Sequence, residues 1–121
     1  METMLAPLDP TIHLAQHLED FVRRASEAPL PDPLGAERLA ARAAAGDAGA
    51  RDSLVRAHLR LVVDEAIRYR GVGDRMRDLV PQAFDALVDA AREYRPPSDE
   101  GFTAYARRSI RSALTGRYGP H

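Results

Sequence analysis

The chain has 121 residues and no cysteine, which bounds it to about one domain and removes disulfides, cysteine nucleophiles, iron–sulfur clusters and thiolate zinc sites. No apolar run approaches the roughly 18 residues of a membrane span, so a cytoplasmic protein without membrane contact is expected. Alanine supplies 21 residues, Trp is absent and the net charge is only −1, which favours packed helices over sheet and confines any nucleic-acid contact to a local patch.

Five helices are predicted, and no strand. Asp9-Pro10 reads as an N-cap with proline at the first helical position, and Ile12, Leu14, Leu18, Phe21 and Val22 mark an apolar face at helical spacing. This helix fades near Ala25, so residues 1–27 form an N-terminal helical element. Residues 28–34 hold three prolines in alternation. Each pushes its predecessor out of the helical region, which predicts an extended linker. Residues 35–121 make the main domain. Its first helix runs from about Ala36 to Ala45 and closes at Gly46. Asp47 caps one long helix reaching about Arg70, with Leu54, Val55, Leu59, Val62, Val63, Ala66 and Ile67 inward. Gly71-Val72-Gly73-Asp74 predicts a turn. The next helix takes Asp78 as N-cap and runs to about Tyr94, with Pro81 in its first turn, where a missing N–H does no harm. Pro96-Pro97-Ser98-Asp99 reads as a loop. The last helix spans roughly Glu100 to Thr115 and closes at Gly116, ahead of a frayed tail. The fold class is all-α, a compact bundle of about five helices.

Catalytic chemistry is hard to assemble from these residues. His13 and His17 lie one helical turn apart, a spacing that can hold a metal, but no third ligand is evident and a solvated helix face accounts for them better. His58 falls on a mostly apolar helix, where a hydrogen-bonded, partly buried histidine is expected. Gly71-Val72-Gly73 lacks the further glycine, the lysine and the strand of a phosphate loop. Asp85 and Asp89 sit one turn apart on an exposed face. No nucleophile, base and oxyanion site come together, so an enzyme is not expected, and neither a metal nor a cofactor is implied.

Charge is more informative. All 17 basic residues are arginine. Residues 1–50 hold four against eight acids, whereas residues 51–121 hold thirteen against ten. Arg107, Arg108, Arg111 and Arg117 lie in a final stretch with no acid. Phe102 and Tyr105, one turn apart, precede them. Aromatic rings beside guanidinium groups can hold unstacked bases; the same rings can equally be core, with the arginines solvated.

The order of motifs from about 46 to 114 resembles region two of bacterial RNA polymerase sigma factors. Gly46-Asp47 with Ala50, Arg51 and Leu54 is similar to that family's "GD…AR..L". Leu59-Arg60-Leu61-Val62-Val63 is similar to "NLRLVV", with His58 in place of the Asn. Arg68-Tyr69-Arg70-Gly71 is similar to "RYRG" and Asp78-Leu79-Val80 to the start of "DLIQEG". Phe102-Thr103-Ala104-Tyr105-Ala106 is similar to "FSTYA", and Ile110-Arg111-Ser112-Ala113-Leu114 to "IRQAI". The resemblance implies a compact helical domain with two tasks. The "DLIQEG" helix would dock on the coiled coil of the polymerase clamp, giving Asp78, Gln82, Phe84 and Val88 as polymerase-facing residues. The "FSTYA" helix would capture flipped bases of the promoter −10 region on the nontemplate single strand, giving Phe102, Tyr105, Arg107, Arg108 and Arg111 as DNA-facing residues.

The sequence also departs from that pattern. Pro81-Gln82-Ala83 stands where the family has Gln-Glu-Gly, which weakens pairing with a basic clamp surface. Arg108-Ser109 replaces the Trp pair that wedges the duplex open. Glu100 stands where an aromatic or basic residue is common, and an acid there repels DNA. No helix-turn-helix follows, so a minimal factor working without a −35 contact is expected. Two functions remain. One is a sigma-like initiation protein that binds core polymerase and contacts the −10 region. The other is a repurposed sigma-like fold that regulates by binding protein, as a polymerase decoy or a partner of true sigma factors, without promoter melting.

Overall fold

A computed structural model describes residues 17–70 and 76–118. The expected helix start at Asp9-Pro10, His13 and the turn at 71–74 lie outside the described residues. Six helices follow in order: α1 Leu18–Glu27, α2 Pro33–Ala44, α3 Ala48–Ala57, α4 Leu59–Tyr69, α5 Met76–Glu93 and α6 Gly101–Tyr118. No strand occurs among the described residues, and no helix there is long and apolar enough to cross a membrane.

The first two helices are set by local chemistry. In α1, Leu18 and Phe21 pack onto the core and Ala25 is buried, so its apolar face is covered by this chain, chiefly by α4. The α1–α2 connection is shorter than the expected linker, because α2 starts at Pro33 rather than Ala36. Asp32 accepts a hydrogen bond from the Gly35 N–H at 3.0 Å, and Pro33 follows at the first helical position, where its missing N–H is harmless. The other end of α2 is closed by Gly46 at φ 104°, a left-handed conformation that suits glycine.

The expected long third helix is two helices, which makes the count six among the described residues, against about five expected. Asp47 caps α3 through the Ala50 N–H at 3.0 Å, and Arg42 binds the same carboxylate at 2.9 Å. The Ala50 hydrogen bond and then the Arg42 guanidinium hold the Asp47 carboxyl below its ordinary range. The break falls at His58, and its side chain explains it. In an unbroken helix the His58 N–H would donate to the Leu54 carbonyl. Here His58 Nδ1 takes that carbonyl at 2.8 Å, while the His58 N–H turns to the Val55 carbonyl at 3.0 Å. The ring replaces one backbone bond, and the His58 backbone leaves the helical region at φ −113° and ψ 15° before α4 begins.

Helix α5 is the centre of the bundle and touches α2, α3, α4 and α6. Its first described residue is Met76, so Pro81 lies inside the helix and Asp78 is not its N-cap. The Arg77 carbonyl therefore loses its N–H partner at Pro81. Gln82 Nε2 donates to the next carbonyl, that of Asp78, at 2.9 Å. Leu79, Val80, Ala83, Phe84, Ala86, Leu87, Ala90 and Ala91 are buried, a wide apolar face suited to a helix with neighbours on most sides. Helix α6 buries a single stripe, Phe102, Ala106, Ile110 and Leu114, one residue every turn. It runs past Gly116 to Tyr118, so Gly116 does not close it.

Candidate functional site

The outward side of α5 carries Asp78, Gln82, Asp85 and Asp89. Steps of four, three and four residues place them along one helix face. Asp78, Asp85 and Asp89 are exposed and Gln82 is half-buried. Partial desolvation and then the neighbouring Asp89 charge raise the Asp85 carboxyl above its ordinary range. Gln82, Asp85, Ala86 and Asp89 form one wall of an open groove of about 420 Å³, and Ala113 and Gly116 of α6 form the other. The groove is acidic on one side and floored by small residues on the other.

Two of the expected polymerase-facing residues point elsewhere. Phe84 is 6% exposed and belongs to the core. It lies two residues from Gln82, about 200° around the helix. Val88 is half-buried and packs against the same core. Asp85 and Asp89, read from sequence only as a repelling exposed pair, take their places on the outward face.

On α6 the expected DNA-facing residues divide. Phe102 is a core residue at 1% exposure, edge-on to His58 at 4.8 Å and to Tyr94 at 5.4 Å. Its period-four stripe with Ala106 and Ile110 turns it inward, so it offers no surface to a strand. Tyr105 is half-buried, with its ring 5.2 Å from that of Tyr94. The Arg108 guanidinium lies over Tyr105 at 5.5 Å and is ion-paired with Glu100. That pairing comes first among the causes that hold the Glu100 carboxyl below and Arg108 above their ordinary ranges. Arg111 is drawn across to α4, where its Nε donates to Glu65 at 2.8 Å. Arg107 is half-buried beside a cavity of about 280 Å³ that Glu37, Glu100, Phe102 and Thr103 also line. Among the described side chains of α6, Arg107 is the one arginine without an ionic partner.

Three supporting residues bring α6 into place. Glu37 of α2 accepts the Phe102 N–H at 2.6 Å and the Tyr94 hydroxyl at 2.9 Å. It caps the start of α6 from a helix 65 residues away. Burial, and then the bond to Glu37, push the Tyr94 hydroxyl up to about 12. Glu65, 1% exposed, is the buried anchor for Arg111, with Arg68 at 3.6 Å. A hint of Glu65 was present in the sequence, since it lies four residues from Leu61 on the apolar face of its helix. Glu37 had no such signal. His58 is fully buried. Because a carbonyl only accepts, His58 Nδ1 carries the proton to Leu54, and Nε2 accepts the Thr103 hydroxyl at 2.9 Å. Desolvation lowers its pKa below the usual histidine value. No cluster of three or more His, Asp or Glu able to hold a metal occurs among the described residues.

The model of the sigma-70 region 2 family matches residues 54–118, which take in α4, α5 and α6 whole. The chain belongs to that family. The chain is also similar to several RNA polymerase sigma factors. An RNA polymerase sigma factor SigA of Clostridium acetobutylicum is 34% identical over 112 residues, covering 89% of this chain and 30% of that protein. An RNA polymerase sigma-C factor of Myxococcus xanthus is 33% identical over 97 residues, covering 80% of this chain and 33% of the relative. A SigA of Listeria monocytogenes is 39% identical over 77 residues, 64% of this chain and 21% of its own length. The chain thus spans a third or less of these sigma factors. In this sigma-70 region 2 chain, α5 and α6 are the two helices that bear the outward acidic stripe and the arginine-bearing face.

Proposed function

We propose that this chain is a sigma-factor-like transcription initiation protein that binds core RNA polymerase and contacts the promoter −10 region. The observation that carries the reading is the family match across residues 54–118, because that stretch includes both outward surfaces. The acidic stripe of α5 is the polymerase-facing side: Asp78, Gln82, Asp85 and Asp89 meet a basic helical surface such as the clamp coiled coil. Charge complementarity of this kind speeds encounter and fixes register. The small residues Ala86, Ala113 and Gly116 let a partner helix approach closely. The strand-facing side is Tyr105, Arg107 and Arg108, with Arg111 at its edge and Phe102 supporting it from within. The protein works by binding, not by catalysis, in the cytoplasm.

One observation favours the second reading, a regulator that binds polymerase or a sigma factor without melting promoter DNA. Phe102 is in the core, and Arg108 and Arg111 are each held by a carboxylate. This leaves α6 poorer in free rings and cations than strand capture calls for. The two readings separate by experiment. The first expects complex formation with purified core polymerase, and single-strand binding that weakens steeply with salt. The second expects the polymerase complex or a sigma-factor complex without strand binding. No complex with any of them would remove both.

A further inference from the structure

Two of the residues that depart from the sigma pattern, Glu100 just before α6 and Arg108 within it, lie against each other. Arg108 Nε donates to Glu100 Oε2 at 3.2 Å, with a second, closer contact through Nη2. The guanidinium thus held lies over the Tyr105 ring at 5.5 Å. The Tyr94 ring lies 5.2 Å from the same ring, tilted by 50°. Tyr105 is therefore covered by a cation beside a neighbouring aromatic, and that cation is paired with an acid of the same chain. We propose that Glu100 is an intramolecular competitor of the nucleic-acid strand: it holds Arg108 across Tyr105, and a strand binds only by drawing Arg108 away and uncovering the ring.

The chemistry is an exchange of one carboxylate for one phosphate. Guanidinium binds both in the same two-pronged geometry, so a strand phosphate can take the place of Glu100 with little rearrangement. The uncovered ring is then open to a base, and stacking on an aromatic ring is tolerant of base identity. Glu100 and Arg108 are both substantially exposed, at 35% and 64%, so the pair is weak enough to open. The latch thus sets a threshold. A strand with phosphate and base correctly spaced opens it; a bare anion or an isolated base supplies only half of what is lost.

This inference rests on the strand-contact reading of α6, and the test separates the two. Wild type, Glu100→Gln, Asp99→Asn and Glu100→Gln/Tyr105→Ala are compared for binding to a short labelled single-stranded DNA by fluorescence anisotropy. Asp99→Asn removes the same charge one residue away without freeing Arg108. Relief of the latch gives Glu100→Gln a gain of about two- to five-fold, the range set by an exposed ion pair. The salt dependence stays nearly the same, because Arg108 meets one phosphate in both complexes. Asp99→Asn gives a smaller gain, and Tyr105→Ala cancels that of Glu100→Gln. Equal gains from Glu100→Gln and Asp99→Asn would mean plain repulsion and would overturn the proposal, as would unchanged affinity in Glu100→Gln. If no form binds DNA, the strand-contact reading fails, and the latch is decided on the protein alone. Nitration of Tyr105 by tetranitromethane, mapped by mass spectrometry, is faster in Glu100→Gln than in wild type if Arg108 covers the ring, and equal if it does not.

Discussion

His58 does three jobs with one ring, since it breaks the helix by taking the Leu54 carbonyl, packs against Phe102 and accepts the Thr103 hydroxyl at Nε2. The last of these needs the neutral imidazole. Its folded pKa lies below the ordinary histidine value of 6.5, so as pH falls the unfolded chain takes up the proton first. His58 therefore takes stability away as pH falls through 6.5 toward the lower folded value, and contributes no pH dependence above that window. Thermal melts of wild type and His58→Asn should run parallel above about pH 7.5, and wild type should lose ground below about pH 6.5. A constant offset at every pH would show that the ring is not buried as described. Tyr94 gives a second check. An ultraviolet titration should show one tyrosine ionising near about 12, and Glu37→Gln should lower that value by removing an acceptor and a negative charge. It should stay above the ordinary tyrosine range, because burial is the larger cause. The burial of His58 was readable from the apolar residues around it. Its break in the helix was not, because that depends on where the ring reaches rather than on propensity. The Glu37–Phe102 contact spans 65 residues and leaves no local trace in the chain.

At the scale of the helix, proline explains two of the boundaries that differ from expectation. Pro33 pushes Asp32 into extended backbone, φ −67° and ψ 155°. Extended backbone is what a linker has, and it is also what an N-cap has. The local signal is the same, and the packing of Ala36, Ala40 and Ala43 decides for the helix. Asp32→Ala should therefore cost about 1 kcal/mol in chemical denaturation; no loss would return 28–34 to a linker. Pro81 is the reverse case. It was read as a first-turn proline because an interior proline costs roughly 3 kcal/mol. The apolar face from Leu79 to Ala91 is wide enough to carry the helix through it. Pro81→Ala restores an N–H for the Arg77 carbonyl and should stabilise the protein by about 1–3 kcal/mol. Destabilisation would mean that the ring itself is packed.

Across the whole molecule, the helical architecture was legible because burial follows period. Of the apolar positions of the last helix, Phe102, Ala106, Ile110 and Leu114 lie inside, whereas Tyr105 is half-buried and Ala113 is exposed. The interaction surface was legible only in part. Motif spacing pointed to α5 and α6, but spacing does not say which side of a helix is already occupied. Phe84 and Phe102 were expected outside and lie in the core, where large apolar rings release most water. Arg111 was expected to be free and is tied to the buried Glu65. What remains outside is charge, a stripe of acids on α5 beside a mostly paired set of arginines on α6. The account turns on that acidic stripe meeting polymerase. The direct measurement is the affinity of purified core RNA polymerase for wild type and for Asp85→Arg/Asp89→Arg, two exposed positions whose reversal leaves the core untouched. Tight binding by wild type and a loss of at least about ten-fold in the variant, with unchanged melting, is the expected result. Equal affinity, or no binding by wild type, would contradict it.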